Sequence, residues 1–194
     1  MASHLQYRDF IIVGMLFRKQ KDQQCGKISG LKDNWIYLQD GTLMAGRLQI
    51  FSNWSPSMVK DEETIWVGLE NFCRDTDPVR NKEPEMMIQL ALEEIKKTGL
   101  INKEELLDAT VIKVPNAYPS YIGAYEQFPL LQKFLDGFQN LYLIGRNGMH
   151  RYNNTDHSMT TAMIAVENII QNKKSRDNIW AVNMEKDFHE EKKG

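Results

Sequence analysis

From Phe10 through Phe17 the chain reads Phe-Ile-Ile-Val-Gly-Met-Leu-Phe, without one polar side chain, between Asp9 and Arg18. A run of this length falls far short of the roughly 18 apolar residues that a membrane helix needs, and it has no polar face to make an amphipathic helix. It is expected to form a strand covered on both faces. Three further strands follow: Trp35–Leu38, closed by the turn signal Asp40-Gly41, then Arg47–Phe51 and Thr64–Leu69. The polar stretch Lys19–Lys32, with Gly26 and Gly30, reads as a loop, and Ser52–Pro56 as a turn-rich link.

The period then changes. Pro84 stands at a first helical position, Glu83 and Glu85 favour the positive end of a helix, and Gly99 is placed to stop it. Met86, Met87, Leu90, Ala91 and Ile95 make its apolar stripe, with Glu93, Glu94, Lys96 and Lys97 opposite. A short helix over Lys103–Leu107, a strand over Ala109–Val114 ended by Pro115, and a two-turn helix over Pro129–Leu135 come next. Leu141–Ile144 reads as a short buried strand. In the helix from His157 to Gln171, Met159, Ala162, Met163, Val166 and Ile170 share one face. The tail from Lys173 is charged, though Ile179, Trp180, Val182 and Phe188 imply that part of it docks. The fold class is α+β: a mixed sheet flanked by helices, then a final strand-loop-helix. The expected division is 5–138, 139–172 and a charged tail, 173–194.

Composition excludes more than it identifies. A net charge of -2, with Lys and Arg scattered among Asp and Glu, is no footprint for nucleic acid. No span for a membrane and no secretory signal stand out, and two cysteines, Cys25 and Cys73, make no disulfide framework; a cytoplasmic location is the default expectation. The ten methionines are read as helix packing. His150, His157 and the cysteines lack metal-site spacing, so no metal is expected. Asp156-His157-Ser158 has the residue types of a hydrolytic triad, but neighbours on a helix point apart, and no G-x-S-x-G elbow exists.

The segment that carries chemistry runs from Asn140 to Asn168. A glycine-bearing turn, Gly145-Arg146-Asn147-Gly148-Met149-His150, leads from the expected strand towards a helix start at Thr155-Asp156-His157-Ser158. Unpaired backbone N–H groups and the helix dipole suit such a junction to an anionic ligand, and glycine lets the ligand approach the backbone. Thr155 or Asp156 can cap the helix, while Arg146 and Arg151 can supply positive charge to a diphosphate.

Asn140–Arg146, followed by Arg151-Tyr152 and Asp156, resembles the C-terminal flavin-contacting segment of the flavin-containing amine oxidase superfamily. The pattern Gly-Arg, four residues, Arg-Tyr, then Asp looks especially like UDP-galactopyranose mutases and their relatives. Val114–Tyr121 resembles the strand that leads into that segment. The resemblance implies an FAD-dependent oxidoreductase whose mixed-sheet substrate domain precedes a strand-loop-helix that returns to the FAD-binding domain. It places Gly145, Arg146, Asn147, Gly148, Arg151, Tyr152, Asp156, His157, Ser158 and Met159 near the flavin, and Tyr118, Tyr121 and Tyr125 at the substrate. No residue is identified as the acid or base.

The chain departs from that family at one place. It has no G-x-G-x-x-G loop to hold the FAD pyrophosphate, and Gly26–Gly30 is no substitute. The expectation is a C-terminal fragment that holds FAD weakly or not at all unless the N-terminal dinucleotide-binding portion of the same protein supplies the rest. The resemblance implies a small-molecule substrate among amines, porphyrin-like rings and nucleotide sugars, and the mutase-like pattern favours a nucleotide sugar or related glycan precursor. The alternative is a non-enzymatic module that binds or self-associates, as a homo-oligomer, through the surface such a portion would cover.

Overall fold

The computed structural model describes residues 2–19, 32–74, 76–101 and 106–183. Cys25, Gly26 and Gly30 of the expected loop, Lys103–Glu105 of the expected short helix, and Phe188 lie outside the described residues.

The chain divides into two compact units, one of Arg8–Pro115 and one of Met1–Tyr7 with Asn116–Gly194. The first is built on a five-stranded antiparallel sheet in the order β2-β3-β4-β1-β5. Its strands are β1 (Tyr7–Arg18), β2 (Trp35–Tyr37), β3 (Arg47–Ile50), β4 (Thr64–Cys73) and β5 (Leu106–Pro119). The apolar run does become an interior strand, paired with β4 so that Val13 faces Leu69 and Gly14 faces Gly68. Its two faces differ. Ile11, Val13, Met15 and Phe17 are buried in the core, whereas Phe10, Ile12 and Leu16 opposite them are only half-buried.

Helix α2 (Pro84–Thr98) covers the core face, with Met87, Ala91 and Ile95 packed among Leu48, Ile50, Val67 and Leu69. Gly99, at φ +64°, closes it as expected. The stripe is shifted by one residue from expectation: Met86 is exposed, and Glu94 is buried. The Glu94 carboxylate accepts hydrogen bonds from the backbone N–H groups of Met44 (2.5 Å) and Ala45 (3.1 Å). A charged acceptor with two donors can be taken out of water, which is how a glutamate enters a helix's apolar face.

Three expectations in this unit are corrected. Phe51 does not extend β3 but starts a one-turn helix, α1 (Phe51–Trp54), which occupies most of the expected link. Its ring lies against Gly68, where a Cβ would come within 2.9 Å of it. Pro115 does not end β5, and Leu106 and Leu107 are strand rather than helix. β5 is an edge strand, and at an edge a residue without an N–H forfeits no pairing on the outer side.

The second unit contains α3 (Phe128–Leu135), the one-turn α4 (Gly145–Gly148), α5 (Thr155–Ile170) and the one-turn α6 (Asp177–Trp180). Its core is Phe128, Met149, Ala165, Ile179 and Trp180, joined by Leu5, Tyr125, Leu131, Tyr142, Leu143 and Ile164. The docking of Ile179 and Trp180 expected for the tail is therefore seen. Arg176 holds this end of the chain in place. Its guanidinium donates to the carbonyls of Asp136, Phe138 and Gln139 and lies over the Tyr142 ring.

Leu141–Ile144 is not a strand. Ile144 is extended, at φ -131° and ψ 159°, but the segment belongs to no sheet among the described residues, and Leu141 and Ile144 are exposed. An extended segment becomes a strand only when a neighbour takes its backbone hydrogen bonds, and none of the five strands does so.

Helix α5 departs furthest from expectation. Met159, Met163, Val166, Ile169 and Ile170 are 54 to 77% exposed, while the helix buries Thr161, Ala165 and Asn168. The apolar stripe exists, but it faces outward. Polar Asn168 is accommodated inside by a reciprocal pair of amide hydrogen bonds with Asn178, each 2.9 Å.

Candidate functional site

The glycine turn lies between the Leu141–Ile144 segment and α5. Gly145 adopts φ +70°, a conformation that side-chain-bearing residues rarely take, and this is why glycine stands there. A Cβ would meet nothing nearer than Ser158 Oγ at 3.7 Å, so space is not the reason. The Gly145 N–H donates to Thr161 Oγ1 (3.1 Å), and its carbonyl accepts from Asn153 Nδ2 (3.3 Å). The turn is thus tied to α5 on one side and to its own exit on the other.

Arg146 is held by four neighbours. Nε donates to the Asn153 carbonyl at 2.9 Å and Nη1 to the Ala117 carbonyl at 3.3 Å. Its guanidinium carbon lies 4.9 Å from the Tyr118 ring centre and 4.5 Å from that of Tyr152, and the two tyrosines stack on each other at 5.4 Å. Cation–π contacts and a forked set of carbonyl bonds fix a guanidinium in a way no lysine would reproduce. Asn147 and Gly148 are exposed.

Arg151 turns elsewhere: its Nη1 donates to the carbonyls of Trp180 (2.7 Å) and Val182 (2.9 Å). Asn183 completes this anchorage, donating to the Tyr152 carbonyl (2.9 Å) and to Asn153 Oδ1 (3.0 Å). The segment Asp177–Asn183, which its charged neighbours mark as a tail, is structurally part of the turn.

Helix α5 starts at Thr155, and its cap is Asn154, not Thr155 or Asp156. Asn154 and His157 form a reciprocal capping box, in which the Asn154 N–H donates to His157 Nδ1 at 3.3 Å. His157 Nδ1 is therefore an acceptor in this arrangement. Ser158 Oγ donates to the Asn154 carbonyl (2.9 Å), Asp156 is exposed beside the helix start, and Met159 belongs to the outward apolar stripe.

The three tyrosines lie in two ring groups that share Tyr152 as a link. Tyr118 belongs to the Arg146 stack. Tyr121 and Tyr125 contact each other at 4.8 Å, and Tyr125 continues into Phe128 and His150. The Tyr121 hydroxyl accepts from the Tyr152 N–H at 2.6 Å, joining the two groups through the backbone. Burial raises the Tyr125 hydroxyl pKa, with Tyr121 adding to it and Arg151 opposing it; burial alone raises that of Tyr7.

Residue-type reasoning does not single out Asn153 and Asn183 as site residues, and it considers His150 only as a metal ligand. His150 sits at φ +45°, is buried, and packs edge-on against Tyr7 at 4.7 Å. Its Nε2 lies 3.2 Å from the Ser120 carbonyl, and Nδ1 is buried with no hydrogen-bond partner. Burial pushes its pKa down, and the bond to Ser120 opposes that shift. The available signal was the Asn-rich exit Tyr152-Asn153-Asn154, since asparagine side chains hydrogen-bond local backbone and favour turns.

No family profile matches the chain, and no curated protein does. Solved structures do. A crystal structure of reduced UDP-galactopyranose mutase superposes with a TM-score of 0.77 at 19% identity, covering 94% of this chain and 37% of the other. A protein assigned as a protoporphyrinogen oxidase from Exiguobacterium sp. 255-15 matches with a TM-score of 0.56 at 13% identity, covering 74% and 31%. The chain thus spans about a third of the length of each and shares their fold over that part, the fold its glycine-arginine segment had implied.

Proposed function

We propose that the chain is the substrate domain and last flavin-lining segment of an FAD-dependent oxidoreductase acting on a nucleotide sugar or glycan precursor. It would hold FAD only in the company of a dinucleotide-binding portion. The single observation behind this reading is the outward apolar stripe of α5, directly downstream of the glycine turn. Five large side chains from Met159 to Ile170 gain nothing by facing water, and the helix hides its polar Thr161 and Asn168 instead. In this reading the stripe is the face that the dinucleotide-binding portion covers.

The residues at hand fit one edge of the cofactor. Gly145 sets the turn through its positive φ, the fixed Arg146 guanidinium would offer positive charge, and the first turn of α5 would offer backbone N–H groups. Bound FAD would supply the hydride or electron chemistry. This chain's own part is to position the flavin edge and, through Tyr118, Tyr121 and Tyr125, the substrate. Arg151 serves that role indirectly, by holding the 180–182 backbone under the turn.

Methionine oxidation by dilute peroxide tests the reading. On the chain alone, Met159 and Met163 should oxidise quickly and buried Met15, Met87 and Met149 slowly. Supplying the dinucleotide-binding portion should protect Met159 and Met163. Unchanged oxidation in its presence would contradict the proposal. The same face also motivates the second reading, self-association of a non-enzymatic module. A concentration-independent monomer in sedimentation would remove that version.

A further inference from the structure

The sheet face turned away from α2 carries a feature that the flavin reading does not use. Cross-strand register puts Trp35 and Tyr37 of β2, Arg47 and Gln49 of β3, and Glu70 and Phe72 of β4 on that side, because Leu48, Ile50 and Leu69 alternate with them into the core. Trp54, from α1, joins this group. Trp35, Tyr37, Trp54 and Phe72 are 37 to 64% exposed, so four large rings meet solvent side by side. Single exposed apolar residues are ordinary, but a contiguous group built round polar side chains marks a binding surface.

The polar centre is ordered. Arg47 Nε donates to Glu70 Oε2 (2.5 Å), Gln49 Nε2 to Glu70 Oε1 (2.8 Å), and Trp54 Nε1 to Gln49 Oε1 (3.1 Å). The Arg47 guanidinium carbon lies 5.8 to 6.0 Å from the ring centres of Trp35, Tyr37 and Phe72. Trp35 and Trp54 are 5.2 Å apart, tilted at 33°. The network holds Trp54 by a hydrogen bond and Trp35 against it by a ring contact before any ligand arrives, which lowers the entropy cost of binding.

Charge selects the ligand. Glu70 is 2% exposed, and its carboxylate is matched by Arg47, so the centre of the face is neutral as well as polar. A phosphate would meet a cation already compensated by a carboxylate, and a cation would meet a carboxylate already compensated by a guanidinium. What fits aromatic faces edged by amide and hydroxyl groups is an uncharged ring that is apolar on its flat sides and hydroxylated round its rim. Its C–H groups lie on the negative faces of the indoles, and its hydroxyls reach Gln49 and the Tyr37 hydroxyl. We propose that this face binds a hexopyranose unit of a neutral glycan, seated on Trp35 and Trp54. The proposal does not depend on the flavin reading, since every residue named belongs to the Arg8–Pro115 unit.

Titrating the full chain with cellohexaose, maltohexaose and mannohexaose, followed by tryptophan fluorescence and amide chemical shifts, tests it. At least one should give a saturable change by about 10 mM, a weak affinity of the kind single-ring stacking supports. Trp35→Ala and Trp54→Ala should each weaken that binding by about tenfold or more, the size expected of an aromatic anchor that the ligand covers. Exposed Tyr37→Ala, a variant not expected to perturb folding, should weaken it by a smaller factor, while Met163→Glu should leave it unchanged. Circular dichroism checks that the variants fold. If Trp54→Ala does not fold, Trp35→Phe and Tyr37→Ala carry the test. Absence of saturable binding by all three glycans would overturn the proposal. So would full affinity in the Trp35 and Tyr37 variants, or tighter binding of UDP-glucose than of any neutral glycan.

Discussion

At the scale of single residues, the candidate site depends on side chains whose work is to hold backbone. Arg146 bonds two carbonyls and stacks with two tyrosines. Arg146→Ala should lower the stability of this unit by about 1–3 kcal/mol, and Arg146→Lys should recover only part of it, as read from urea midpoints. His150 makes a pH prediction. Its folded pKa is lowered by burial, so the unfolded chain takes up the proton first. The associated stability is intact above the ordinary imidazole pKa of about 6.5 and is lost as pH falls from there through the lowered folded value. Urea midpoints between pH 8 and pH 5 should fall, and His150→Gln should flatten that dependence while lowering stability overall. A pH slope that survives the substitution would assign the effect to another group. Gly68 is a packing case. A Cβ there would lie 2.8 to 2.9 Å from Ile12 and the Phe51 ring, so Gly68→Ala should destabilise by about 1–3 kcal/mol in thermal or urea unfolding.

At the scale of elements, α5 separates what periodicity can say from what it cannot. The spacing of Met159, Met163, Val166 and Ile170 announces one helix with one apolar face, and that helix is present. Periodicity carries no information about which neighbour the face meets, and here the described residues cover the opposite side, around Ala165. Met163→Gln should therefore change the chain's stability by no more than about 0.5 kcal/mol, whereas Ala165→Leu should cost about 1–3 kcal/mol by overpacking. The strands were legible for a related reason. β1, β2 and β4 follow from apolar runs bounded by charge or turn residues, because burial of a sheet face acts on every second residue. Leu141–Ile144 has the same composition but no strand partner among the described residues, so its pattern alone mispredicts it. Pro115 and Phe51 failed on context: an edge position tolerates the proline, and a glycine opposite makes room for the ring. Much of the site was missed because Asn153, Asn183 and His150 act through backbone bonds and packing, which leave no spacing motif.

At the scale of the whole molecule, the proposed function makes the chain one part of a larger catalytic unit. It spans about a third of the UDP-galactopyranose mutase chain whose fold it shares, and no G-x-G-x-x-G loop occurs in its sequence. In the proposed function its glycine turn is one edge of a cofactor site, and the exposed apolar stripe of α5 lies immediately downstream of that turn. The two features belong together if a dinucleotide-binding portion covers the stripe and brings the pyrophosphate-binding loop to the turn. The most direct measurement is a titration of FAD into the purified chain, followed by flavin fluorescence, with and without that portion. The account predicts no stoichiometric complex with the chain alone and one flavin per chain once the portion is supplied. A stoichiometric flavin complex formed by these 194 residues on their own would contradict it.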